Sequence, residues 1–172
     1  MKQDVRLVTT IAPGYDLYFG CQDNLLQQLI ELSKLPEMVA TVPRDASERF
    51  TSIEAFYQRP VDAQQLYWLL HGDEVAGVMW FRRKQPPFPI ADTDYTIAIR
   101  IYPAHQGKGL SRPLLTAAHA DFLAHHADVR GFWLQTRADN LKAQHTYEKF
   151  GYRVLAQDSA DVTMALAAQH LS

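Results

Sequence analysis

Gln106-Gly107-Lys108-Gly109-Leu110-Ser111 joins two different periodicities. Upstream, Tyr95, Ile97, Ile99 and Ile101 alternate with Thr96, Ala98, Arg100 and Tyr102, the period-two pattern of a strand, which Pro103 ends. Downstream, Leu110, Leu114, Ala118 and Phe122 recur every four residues with Leu115 and Leu123 beside them, which predicts a helix of roughly four turns. Pro113 falls in its first turn, where a missing N–H does little damage. Two glycines in the junction let the backbone turn sharply, and the helix leaves its first N–H groups without intrahelical partners at the positive end of its dipole. Such a junction suits an anion, above all a phosphate. A glycine-rich turn that only links strand to helix has the same composition, so the rest of the chain decides.

Working outward, Val5 to Thr10 reads as a short strand, and Asp23 or Asn24 can cap a helix whose Leu25, Leu29 and Leu32 share a face until Pro36 stops it. A second helix is expected from near Asp45, with Asp45 and Glu48 at capping-box-like spacing and Phe50, Ile53 and Tyr57 in helical period, ending at Pro60. Leu66 to His71 and Val75 to Phe81 form a hairpin around Gly72-Asp73. Pro86, Pro87 and Pro89 make Arg82 to Asp94 a surface loop. Beyond the glycine junction come a strand at Phe132 to Thr136, a helix at Asn140 to Phe150 closed by Gly151, and strands at Tyr152 to Ala156 and Val162 to Leu166. This order calls for an α/β (α+β) domain, a mixed sheet of about seven strands covered by four helices.

The 172 residues fit one domain, 1–172, with no linker-like stretch to divide them. A formal charge of −2 and 21% charged residues carry no global bias toward nucleic acid or anionic membrane. The basic residues lack the interleaved aromatics of a nucleic-acid groove, so neither nucleic acid nor membrane is an expected partner. Cys21 is the sole cysteine, which excludes an internal disulfide and reads as an inert thiol. No apolar signal core follows Met1, and the cytoplasm is the expected compartment. His125 and His126 face different sides of a helix, and no histidine spacing suggests a metal site.

Ile99-Arg100-Ile101-Tyr102-Pro103-Ala104-His105-Gln106-Gly107-Lys108-Gly109-Leu110-Ser111 resembles the acyl-coenzyme A loop of the GNAT superfamily of N-acyltransferases, Q/R-x-x-G-x-G/A, with Ser111 where Gly or Ala is usual. Serine is small enough for close approach and can donate its hydroxyl to a phosphate. Asn140-Leu141-Lys142-Ala143-Gln144-His145-Thr146-Tyr147-Glu148-Lys149-Phe150-Gly151-Tyr152 is similar to the family's N-x-x-A-x-x-x-Y-E-K-x-G-F/Y signature. Asn140, Ala143 and Tyr147 lie at i, i+3 and i+7, on one helical face. Taken singly, Asn140 reads as a helix cap and Tyr147 as a core aromatic; the paired motifs favour a ligand face.

The resemblance implies a mostly antiparallel sheet splayed at a cofactor cleft, with acetyl-CoA as co-substrate, no metal, and a primary amine of a small molecule or peptide as acceptor. It implies cofactor contacts from Ile99, Arg100, Ile101, Gln106, Gly107, Lys108, Gly109, Leu110, Ser111, Arg112, Asn140, Ala143 and Tyr147. The pantetheine arm would pair with backbone around Ile99 to Ile101, as strand addition does. Tyr147 is the candidate general acid for the departing thiolate, since a phenol has a pKa near 10 and a thiol near about 8.5. The family often carries a glutamate on this strand; here there is none, and Asp94 just before it is the candidate base. Asp92 and His71 are weaker candidates, and a water chain ending in no single base is an alternative. Arg137 and Lys142 read as solvated surface cations. Family members shape the acceptor pocket with their early helices and last hairpin, which points here to Leu35 to Val42, Phe88 and Ala156 to Asp161.

Two other classes compete with an acetyltransferase that is a monomer or homodimer. A catalytically silent acyl-CoA binding or sensing module would keep the loop and need no acid. A nucleotide-binding Rossmann-type domain requires repeated strand–helix crossovers, whereas a hairpin precedes the glycine junction here.

Overall fold

The computed structural model describes residues 5–41, 51–59, 65–90 and 92–171. Strands β1 (Arg6–Ala12), β2 (Tyr15–Phe19), β3 (Gln65–His71), β4 (Glu74–Arg83), β5 (Tyr95–Ile101), β6 (Gly131–Arg137), β7 (Arg153–Gln157) and β8 (Asp161–Ala167) form one sheet in the order β1-β2-β3-β4-β5-β6-β8-β7. Every neighbouring pair is antiparallel except β5 and β6. The helices are α1 (Asp23–Leu32), α2 (Pro36–Thr41), α3 (Ile53–Tyr57), α4 (Ser111–His125) and α5 (Leu141–Phe150).

Two elements exceed the sequence expectation of seven strands and four helices. Pro13-Gly14, with Gly14 at φ +76°, turns β1 back into β2, whose Tyr15 and Leu17 are buried at alternate positions. Pro36 does end α1, but it also begins α2, the position where its missing N–H costs nothing. The helix expected from Asp45 appears among the described residues as α3, capped by Ser52, whose Oγ accepts from the Ala55 N–H at 3.1 Å. Asp45, Glu48, Phe50 and Pro60 lie outside the described residues.

The sheet buries both faces. On one, α4 lays Leu114, Leu115, Ala118 and Phe122 against Phe81, Tyr95, Ile97 and Phe132, and α5 adds Tyr147. On the other, Leu25, Leu26, Leu29 and Phe56 pack on Trp68, Val78 and Trp80. The aromatic pairs Tyr67-Trp68 and Trp80-Phe81 are thus core, split between the two faces by strand alternation.

Two polar contacts fasten α4. Asp121 accepts from Arg6 Nη1 and Nη2 at 3.0 and 2.7 Å and from Tyr67 Oη at 2.7 Å, tying the helix to β1 and β3. His119 is fully buried: its Nδ1 lies 2.8 Å from the Leu115 carbonyl, so Nδ1 carries the proton, and Nε2 accepts from Tyr152 Oη at 2.9 Å. Burial lowers its pKa from 6.5 to about 4, so this histidine is neutral in the folded chain.

Candidate functional site

β5 and β6 share a ladder only where Tyr95 faces Phe132 and Thr96 faces Trp133. Beyond those two pairs they separate, while β5 stays paired with β4 to Ile101 opposite Gly77, and β6 with β8 to Arg137 opposite Asp161. The result is a V-shaped cleft, closed near Tyr95 and open at the carboxyl ends of both strands. Gly77 is needed beneath it: a Cβ there would lie 2.7 Å from the Arg100 carbonyl oxygen and 2.9 Å from Ile101 Cδ1.

Backbone groups alternate between the edges of a strand, and Tyr102 N–H donates to the Ala76 carbonyl at 3.0 Å on the β4 side. Arg100 and Ala98 share that edge, so Ile97, Ile99 and Ile101 turn their N–H and C=O groups into the cleft. An unladdered edge of this kind requires a partner. Arg100 differs from its neighbours. Its backbone is committed to β4 opposite Val78, and its buried side chain leaves by the opposite face, 5.1 Å from the Trp80 ring, with Nη1 donating to Ser33 Oγ at 3.5 Å.

At the open end, a 3-10 turn (Pro103–His105) leads into the glycine loop. Gln106 Nε2 donates to the Ile101 carbonyl at 2.9 Å, holding the loop to the strand end. Gly107 and Gly109 sit at φ +76° and +73°, and a Cβ on either would meet nothing within 4 Å. Glycine is thus required there by backbone conformation and not by crowding. Buried Leu110 anchors the loop and stands at the N-cap of α4 without a side-chain cap bond, so the amides around Ser111 and Arg112 open the helix uncapped. Arg112 is exposed, and Lys108 Nζ donates to Tyr15 Oη at 2.9 Å.

α5 starts at the carboxyl end of β6 and runs back along the sheet. Asn140 Oδ1 caps it, accepting from Ala143 N–H at 3.2 Å, and its amide nitrogen has no partner among the described residues. Half-buried Ala143 and buried Tyr147 follow on the same face. The Tyr147 hydroxyl has no hydrogen-bond partner among the described residues; its ring packs 5.7 Å from that of Tyr152, and burial raises its pKa well above 10.

Asp94 does not join this group. It lies at the closed end, where Arg83 Nε and Nη2 donate to its Oδ2 at 3.0 and 2.9 Å, and its carbonyl accepts from Lys84 N–H at 2.8 Å. Asp92, exposed at φ 58°, stands 3.6 Å from Arg130. His71 is on β3, with the whole of β4 between it and the cofactor strand. Arg137 is paired with Asp139 and also donates from Nη1 to the Ala40 carbonyl at 3.4 Å, bringing α2 to the mouth of the cleft; Lys142 is exposed. Val42, part of the expected acceptor region, lies outside the described residues.

Burial pushes the Cys21 thiol up to about 11, leaving it un-ionised at neutral pH. Among the described residues no group of three or more His, Cys, Asp or Glu could hold a metal ion, and no helix is long and apolar enough to cross a membrane. Sequence reasoning passed over Tyr15, Glu74 and His105, which gather beside Lys108. They come from a strand, a hairpin and a turn distant in sequence, and no local pattern links them.

An open backbone edge leading to a glycine loop and an uncapped helix fits a long ligand with amides along its length and phosphates at one end. The sequence model of the acetyltransferase (GNAT) family matches residues 26–152. No curated protein sequence matches the chain. Among solved structures, a spermidine N-acetyltransferase from Vibrio cholerae in complex with CoA and spermine is 18% identical, with 93% of this chain and 99% of that one covered at a TM-score of 0.73. An aminoglycoside N(6')-acetyltransferase from Legionella pneumophila is 15% identical over 92% of this chain and 94% of that one, TM-score 0.69. A putative acetyltransferase from Salmonella typhimurium with its cofactor acetyl-CoA is 19% identical over 90% and 94%, TM-score 0.68.

Proposed function

The chain belongs to the acetyltransferase (GNAT) family, with acetyl-CoA as its co-substrate, and from that premise and the shape of its cleft we propose that it acetylates a primary amine of a small molecule or peptide, with Tyr147 as the general acid. One observation carries this reading: the parallel ladder between β5 and β6 stops after two pairs and leaves Ile99 and the Ile101 N–H without a β6 partner, directly upstream of the glycine loop.

Acetyl-CoA supplies an activated carbonyl carbon and a thiolate leaving group. Ile99 offers its N–H and C=O and Ile101 its N–H to an extended amide-bearing arm, which adds as a strand in the gap, while the Ile101 carbonyl holds Gln106. The amides from Gly107 to Arg112, with the Lys108 and Arg112 cations, hold the diphosphate. An N–H on this edge also polarises the thioester oxygen. The acceptor must arrive as a neutral amine, because an ammonium has no lone pair to form the N–C bond. As the C–S bond breaks, Tyr147 gives its proton to the sulfur. Burial raises the phenol pKa and so keeps Tyr147 protonated at neutral pH. Asp94 is occupied by Arg83 at the closed end, so we assign it to fastening the proline-rich loop; the proton from the amine leaves through water at the mouth of the cleft, and water returns one to the Tyr147 phenolate.

The test is calorimetric titration with CoA, followed by thiol release from acetyl-CoA over polyamines, aminoglycosides, amino acids and peptides. Micromolar CoA binding with turnover on one of these amines is expected. Absence of CoA binding overturns the reading, and binding without turnover on any amine replaces it with the acyl-CoA sensor.

A further inference from the structure

Beside the glycine loop, a polar chain runs through the protein interior. Lys108 Nζ donates to Tyr15 Oη at 2.9 Å, and the same oxygen lies 3.1 Å from His105 Nδ1. An ammonium has no acceptor, so among the described residues the acceptor for the buried Tyr15 hydroxyl proton is His105 Nδ1, and the tyrosine accepts from lysine while donating to histidine. The imidazole proton then sits on Nε2, which is buried, lies 3.5 Å from Glu74 Oε1 and makes no hydrogen bond among the described residues. His71 closes the cluster, its ring 4.7 Å from Tyr15 and 5.7 Å from His105. The five members come from β2, the β3–β4 hairpin, the 3-10 turn and the loop, and hydrogen bonds link Lys108 to Tyr15 and Tyr15 to His105, with the Glu74 carboxylate beside the imidazole.

We propose that Tyr15 is a positioning residue for the coenzyme: it holds the Lys108 ammonium beside the phosphate loop before the ligand arrives. A lysine side chain loses substantial rotamer freedom when it is immobilised, so a free Lys108 would give up part of its attraction for a phosphate in becoming ordered. Here one of its three N–H groups is spent on Tyr15, whose ring also lies 5.7 Å from Nζ, and two stay available for phosphate oxygens. Both glycines flanking Lys108 are at positive φ, so the loop alone does not fix where its side chain goes. Tyr15 does, and His105 in turn orients the tyrosine hydroxyl.

This inference rests on the reading of the loop as the coenzyme phosphate site. It is tested by a double-mutant cycle on the full chain, reading the Kd for CoA with Tyr15→Phe, Lys108→Met and both together. Lys108→Met is expected to weaken CoA about tenfold and Tyr15→Phe about threefold to fivefold, with the loss appearing in KM for acetyl-CoA and not in kcat. The double variant should be no weaker than Lys108→Met alone. Additive losses, or a Tyr15→Phe protein that binds as wild type does, overturn the proposal. Glu74→Gln at the exposed end of the chain serves as a second variant that leaves the core intact; it should weaken CoA by about twofold, and only when Lys108 is present. Wild type that fails to bind CoA removes the function and this inference together, whereas intact binding with a flat cycle removes this inference alone.

Discussion

Removing the Tyr147 hydroxyl separates chemistry from stability, because the structure gives that oxygen no hydrogen-bond partner among the described residues. In Tyr147→Phe the ring keeps its packing on Tyr152, and no donor or acceptor is orphaned. The folding free energy should therefore change by less than about 0.5 kcal/mol. CoA affinity should stay within about twofold. Turnover should not. A positioned general acid typically contributes about 10²- to 10⁴-fold, or about 3 to 5 kcal/mol of barrier, so kcat should fall by at least about a hundredfold. Burial holds the phenol above its ordinary pKa of 10, so the deficit should be flat from pH 6 to 9, with no inflection from Tyr147 itself. The assay is thiol release at saturating acetyl-CoA across that range, beside CoA calorimetry and thermal melting of the same preparations. A variant with kcat within about threefold of wild type and unchanged CoA binding would refute Tyr147 as the acid. A loss that tracked a lowered melting temperature would show that the ring and not the hydroxyl matters.

Three further outcomes follow from the same geometry. His119 has a folded pKa of about 4 against 6.5, so the unfolded chain protonates first; its contribution is complete above pH 6.5 and is lost as the pH falls toward 4, by about 3 kcal/mol at roughly 1.4 kcal/mol per pH unit. Urea midpoints between pH 7.5 and 4.5 should show that slope, and His119→Leu should flatten it; an unchanged slope in the variant contradicts the assignment. Gly109→Ala should cost about 1 kcal/mol for its φ of +73° and weaken CoA by tenfold or more, while Gly72→Ala, at φ +61° in the β3–β4 turn and equally uncrowded, should cost the same stability and leave CoA binding within about twofold. Asp94→Asn should lower kcat by less than about threefold, because Arg83 already occupies the carboxylate; a hundredfold loss would restore Asp94 as the base.

What could be read from sequence and what could not divide along a physical line. The cofactor strand, the glycine loop, α4 and α5 are each encoded locally, by alternation, by two glycines at positive φ, by four-residue spacing and by the Asn140 cap. β2 escaped because its five residues follow directly on the Pro13-Gly14 turn, and α2 because Pro36 was credited only with ending a helix. The gap between β5 and β6 has no periodic signature at all: Phe132 to Leu134 is as buried as any central strand, and the separation exists only in the pairing. The declining burial along β5, from Tyr95 and Ile97 to half-exposed Ile99 and Ile101, is its consequence and not its cause. The proposed coenzyme contacts are mostly backbone groups, whose placement follows from local conformation, and this makes the loop legible in a single sequence. Tyr15 lies 90 residues from His105 and 93 from Lys108, so their meeting depends on the strand order of the whole sheet. Substitutions in the loop should accordingly act on whether the coenzyme binds, and substitutions in the Tyr15 chain on how tightly, because the first set builds the cradle and the second only orders a cation at its rim.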